Sequence, residues 1–182
     1  MPAPAAELRR GRIFYALFPF VPRFPVTLED GRNIESVEAF AASARGTPMS
    51  LLSRGRLRPV LLLHDGTRGE HGDVVCLRIT TVKPRHRRDA AVWSRVVRGE
   101  HAFVFHLPVL PRYGLPEESV IALPSIGAVH KSAVLGPRHV GELSVRDMQA
   151  ISERLRLVLS LDLAPLIAAQ ANELLRRAGL DV

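Results

Sequence analysis

Arg58-Pro59-Val60-Leu61-Leu62-Leu63 and, further along, Leu77-Arg78-Ile79-Thr80-Thr81 are short apolar runs rich in branched residues, separated by a connection that holds Gly66, Gly69 and Gly72. That pattern reads as two neighbouring strands joined by a turn-rich loop. Arg58 opens the first run and Thr80 stands near the end of the second. A guanidinium forks onto two phosphate oxygens and stays charged at any relevant pH, while a hydroxyl adds a short directional hydrogen bond to the same group. An arginine at the mouth of a strand is also simply solvated in many proteins, so the rest of the chain has to decide.

Outward from these runs, Gly11 to Phe18 reads as a first strand, with Pro19 and Pro22 closing it. The second run extends to a strand over residues 73–81, and further strands are expected over His101 to Leu107 and Val120 to Leu123. Between the first two strands lies a long insert, roughly 21–56, where Asn33 is a plausible N-cap for Val37, Phe40, Ala41 and Ala44 at helical spacing. Lys83-Pro84-Arg85-His86-Arg87-Arg88 is the densest basic run and reads as a polar connector that phosphates could use.

Towards the C-terminus, Ser144-Val145-Arg146-Asp147 forms a capping signature ahead of Met148, Ile151, Leu155 and Val158, which predicts a helix with one apolar face. Asp162 caps an expected second helix, with Pro165 in its first turn and Gly179 as its stop, so 162–182 reads as a helical extension of a domain over 1–161. Strands followed by helices give an α+β fold class built on a small antiparallel sheet or barrel.

The chain has 182 residues, enough for one domain with a real core. Its 47% apolar and 24% charged content excludes wholesale disorder. Lys and Arg number 25 against 18 Asp and Glu, a net charge of +7 carried almost entirely by arginine, which favours polyanionic or acidic partners. The single cysteine, Cys76, lies within Val74-Val75-Cys76-Leu77 and reads as a small buried hydrophobe in a reducing compartment. No secretory signal or membrane span is recognisable, so a cytoplasmic protein is expected. The seven histidines lack a His-Glu-x-x-His arrangement, and neither phosphate-loop spacing nor Gly-x-Ser-x-Gly occurs. This leaves cofactor-free polar catalysis, or binding without catalysis.

Taken in order, Gly11-Arg12-Ile13 with Phe18-Pro19-Phe20, Arg58 to Leu63, Ile79-Thr80-Thr81, Gly114 to Ile121, His130-Lys131-Ser132 and Gly141-Glu142-Leu143-Ser144 resemble the MazF/PemK family of toxin endoribonucleases (mRNA interferases). The resemblance covers about 11–20 and 57–160. It implies a Src-homology-3-like or PemK-like barrel, a homodimer that cuts single-stranded RNA without metal or other cofactor, and a cognate antitoxin as partner. By resemblance, Arg58 matches the arginine used at the scissile phosphate and Thr80 the active-site threonine, with Thr81, Arg56, Lys83, Arg85, Arg87 and Arg88 expected to hold RNA. Some members carry an arginine and an aspartate near the Val-Ile segment, where this chain has Ala122 and Pro124. Acid and base are therefore sought among His64, His71 and Glu70, or Glu29 and Asp30 of the insert, with His favoured by its ordinary pKa. Two rival classes stay open: a binding protein on the same scaffold that holds RNA, DNA gyrase or an antitoxin, and an interaction module that docks through its tail.

Overall fold

The computed structural model describes residues 2–19, 25–36, 38–39, 55–66, 72–136 and 139–161. Of the expected helix around 37–44 only residues 38–39 are described, and they are helical, with the Ala39 N–H donating to the Ser36 hydroxyl at 3.2 Å; the tail over 162–182 lies outside the described residues. Within them, the chain is α+β. One antiparallel sheet carries β1 (Arg12–Pro19), β4 (Gly55–Leu62), β5 (Asp73–Thr81), β6 (Val104–Leu107), β7 (Ser119–His130), β8 (Val134–Leu135) and β9 (Gly141–Glu142). Its order is β6-β7-β5-β4-β1-β8, with β9 also on β1, so the sheet is open between β6 and β8 among the described residues.

Two helices flank it, α1 (Ala90–Val97) and α2 (Val145–Val158).

The apolar runs are nearly continuous because the strands are buried on both faces. Alternation sends Ile13, Leu61, Leu77 and Ile79 to one core, and Phe14, Ala16, Val60 and Cys76 to the other. Each fully buried Leu, Ile or Phe contributes about 1.5–3 kcal/mol. Helix α2 covers the first core with Met148 and Ile151, and the N-terminal segment covers the second with Ala3 and Leu8. Cys76 is fully buried, as the sequence suggests, and burial pushes its thiol up to about 12.

Ser144 starts α2 as expected: its hydroxyl accepts from the Asp147 N–H at 3.1 Å and donates to the Asp147 carboxylate at 2.7 Å. Tyr113 adds a hydroxyl donor to that carboxylate at 3.2 Å. The Tyr113–Gly114 turn packs against Val140–Gly141 so closely that a Cβ on Gly141 would lie 2.0 Å from the Tyr113 carbonyl oxygen. Gly114 has φ 61°, and its Cβ would lie 1.6 Å from the Val140 carbonyl oxygen.

Several elements differ from the sequence reading: β6 starts at Val104 rather than His101, and β7 runs over Ser119–His130 where a short strand over Val120 to Leu123 is expected. Asn33 does not cap a helix; it lies in β3 (Asn33–Ile34), which pairs with β2 (Val26–Thr27) as a short hairpin within the insert. Ile34, Val26 and Leu28 bury a small apolar cluster of their own, which accounts for the hairpin. The basic run is a largely exposed polar connector, shaped over Pro84–Arg87 as a 3-10 turn, and Asp89 then caps α1, a helix the sequence reading does not include, its side chain accepting from the Val92 N–H at 2.9 Å.

Gly141→Ala is expected to lower unfolding stability by about 1–3 kcal/mol, since neither backbone at that crossing can retreat without losing contacts. Urea unfolding followed by circular dichroism checks this; an unchanged midpoint would contradict the close packing.

Candidate functional site

The ladder between β4 and β5 fixes which side chains share a face. Val60 pairs with Arg78, Leu61 with Leu77 and Leu62 with Cys76. Directly paired residues of an antiparallel ladder point the same way, and so do positions two apart on one strand. Arg58, Arg78 and Thr80 therefore lie on one face, with Arg58 and Thr80 each two residues past the last paired positions, Val60 and Arg78. The row continues on both sides, since Thr80 pairs with Val120, Val120 with His106, and Arg58 with Ala16. Arg56, two residues before Arg58, pairs with Phe18 on the same face.

The electrostatics agree with this placement. Burial holds the half-buried Arg58 guanidinium below its ordinary pKa, and the positive charges of Arg78 and Arg56 add to the shift. Arg78 is also half-buried. One of its terminal nitrogens donates to the Ser125 hydroxyl at 3.3 Å, while its Nε is buried without a hydrogen-bond partner among the described residues. Ser125 reaches Arg78 because the β5–β7 register shifts between Leu77 and Ile79, so that β7 bulges there. Phe18 walls the adjoining core, its ring lying where a Cβ on Gly127 would come within 2.6 Å.

A second polar group stands at the His106 end of the row. His106 Nε2 and Glu118 Oε1 are 2.8 Å apart, Arg87 pairs with the other Glu118 oxygen, and Trp93 from α1 meets the His106 ring edge-on at 5.6 Å. Burial tends to raise the Glu118 pKa, but the hydrogen bonds from His106 and Arg87 prevail and hold it below the ordinary carboxylate value.

The remaining residues singled out in the sequence are dispersed. Thr81 pairs with the buried Ser119, and alternation turns it to the face opposite Thr80. His64 follows the far end of β4 from Arg58; its Nε2 accepts from the Val75 N–H at 2.9 Å, and its Nδ1 lies 3.0 Å from the Asp65 carbonyl. Both ring nitrogens thus serve the backbone. Asp30 is engaged by Arg32 at 2.8 Å within the β2–β3 turn, and Glu29 is exposed there. Glu70 and His71 lie outside the described residues. Lys83, Arg85 and Arg88 are exposed around the 3-10 turn that follows β5.

Arg78 and Ser125 were not singled out from the sequence. The two-residue step from Arg78 to Thr80 was a usable signal for the first; the bulge that delivers Ser125 had none. The Glu118 pairing also yields a pH signature. A carboxylate whose folded pKa is depressed stabilises the fold above its unfolded value, and that stability is lost as pH falls through the depressed range. Glu118→Gln should therefore cost about 1 kcal/mol near pH 7, and the gap to the parent should close below the ordinary value of 4.5. Melting curves of both proteins from neutral to acid pH check this, and a constant gap would contradict it.

No curated protein matches the chain. Solved structures similar to it include an endoribonuclease in complex with its cognate antitoxin from a mycobacterial species (15% identity, TM-score 0.45, covering 85% of this chain and 96% of that one). MazF from Deinococcus radiodurans aligns at 11% identity and TM-score 0.48 over 84% of this chain and 96% of that one. The Mycobacterium tuberculosis toxin MazF-mt6 does so at 21% identity and TM-score 0.43 over 59% and 90%. The family model for PemK-like, MazF-like toxins of type II toxin–antitoxin systems matches residues 48–159, a span that holds β4, β5, β7, α2 and every arginine of the site described above. With well over half its length matched by that model, the chain belongs to the PemK-like, MazF-like toxin family.

Proposed function

We propose that the chain is an endoribonuclease of the toxin type that cleaves single-stranded RNA at the Arg58–Thr80 face, acts as a homodimer, and is neutralised by a cognate antitoxin. The observation that carries this reading is the sharing of one sheet face by Arg58, Arg78 and Thr80, set by the β4–β5 register. Family membership supplies the toxin–antitoxin context.

In the proposed reaction the RNA 2′-oxygen attacks the adjacent phosphorus, forming the new P–O2′ bond as the P–O5′ bond breaks. The 2′-hydroxyl proton leaves to a base and a proton reaches the departing 5′-oxygen, so the products carry a 2′,3′-cyclic phosphate and a free 5′-hydroxyl. Negative charge that builds on the non-bridging oxygens is met by the Arg58 fork and the Thr80 hydroxyl, both fixed before the reaction by the sheet. The proposed chemistry draws its positive charge from side chains and requires no metal ion. His64 is not proposed as the base, because its nitrogens hold Asp65 and Val75; Glu70 and His71 keep that candidacy. The exposed cations Lys83, Arg85 and Arg88 are proposed to attract the rest of the RNA strand through its phosphates.

Incubation of the purified protein with long RNA in EDTA tests the reading. Cleavage is expected to persist in chelator and to fall about a hundredfold to a thousandfold in Arg58→Ala, the loss typical of one oxyanion donor. Thr80→Val should cost about tenfold. Intact RNA with retained binding would instead favour a protein that holds RNA without cutting it.

A further inference from the structure

We propose that Arg78, steadied by Ser125, is a second phosphate-gripping residue of this site and works beside Arg58 on the same RNA backbone. This rests on reading the site as an RNA phosphate site. It adds a residue that the sequence resemblance does not supply.

Three observations support it. First, Arg78 pairs with Val60 in the β4–β5 ladder, which puts it on the Arg58 and Thr80 face, one two-residue step away. That step is about 7 Å along a strand, within the combined reach of two arginine side chains. Second, Arg58 feels the charge of Arg78: it is held below its ordinary pKa by burial first and by Arg78 next. Third, no carboxylate among the described residues pairs with Arg78. Its guanidinium makes a single hydrogen bond there, to the neutral Ser125, and its Nε is buried with no partner.

A half-buried arginine that faces another arginine and lacks an acidic partner costs stability, because desolvation and like-charge repulsion act together. A phosphate removes both penalties, since its oxygens accept from both forks and its charge offsets theirs. Ser125 aims the fork. Its position on the β7 bulge, beside Pro124, places a neutral hydroxyl where a carboxylate would neutralise Arg78 and close the site to an anion.

The test uses the full chain and a short RNA carrying a 2′-deoxy nucleotide at the cleavage position, which binds but cannot be cut. Arg78→Gln should weaken binding about tenfold or more. It should also reduce the dependence of log affinity on log salt by about one phosphate contact. Its melting temperature should equal or exceed the parent's, because a repulsive buried charge is removed. Arg78→Lys should recover the salt dependence but only part of the affinity, having the charge without the fork. Binding within twofold of the parent in Arg78→Gln would overturn the proposal, as would weaker binding with an unchanged salt slope and a lowered melting temperature, the mark of a purely structural arginine. Failure here with parental cleavage intact sinks Arg78 alone. A parent that binds RNA through Arg78 yet never cuts it sinks the nuclease reading and leaves this subsite standing.

Discussion

Positive charge held against positive charge, at the border of an apolar core, is the constraint around which this structure is organised. Arg58 and Arg78 are half-buried on adjacent strands, and Arg56 adds a third charge close by. They are held there because their backbones belong to strands buried on both faces: Val60 and Leu62 continue the Arg58 side into one core, while Leu61 and Leu77 lock the opposite side into the other. The apolar burial of the sheet thus offsets the electrostatic cost of holding these guanidinium groups together, and under the proposed function it would preorganise them for an RNA phosphate.

The supports of this arrangement are distributed over the fold. The β7 bulge gives Arg78 its serine, and Phe18 fills the space above Gly127 that a side chain would otherwise take. Helix α2 seals the far face through Met148 and Ile151, and it is pinned at its start by the Ser144–Asp147 box and the Tyr113 hydroxyl. Its Arg154 donates to the carbonyls of His101 and Val104 at 3.4 and 3.1 Å, tying the approach to β6 back to the helix. At the other end of the row, Arg87, Glu118, His106 and Trp93 join the turn after β5, the edge strand and α1. The basic turn is thus tied to the sheet beside Thr80 through the Arg87–Glu118 pair.

Much of the fold was legible in the sequence because the signals were local. The apolar run ending in Thr81 marked β5 with its observed bounds, and Ser144 with Asp147 marked the start of α2. What escaped depends on contacts distant in the chain. Asn33 looks like a cap, yet Ile34 packs with Val26 and Leu28, so Asn33 pairs in a hairpin and Ser36 takes the Ala39 N–H ahead of the helical residues 38–39. Helix α1 is short and follows a charge-rich turn, and its sequence carries only the Asp89 cap as a start signal. Of the site, Arg58 and Thr80 could be singled out from residue type and order, whereas Ser125 depends on a register shift that no spacing announces. His64 shows the converse: a titratable residue beside apolar strands whose nitrogens bond the backbone.

The most direct measurement is to follow the side-chain Nε–H resonances of Arg58 and Arg78 by nuclear magnetic resonance while the uncleavable RNA is titrated in. The account predicts that both signals shift together along one binding curve and become protected from exchange with water. If RNA saturates the protein while both signals stay at their free positions, the guanidinium pair does not hold the phosphate and the account is wrong.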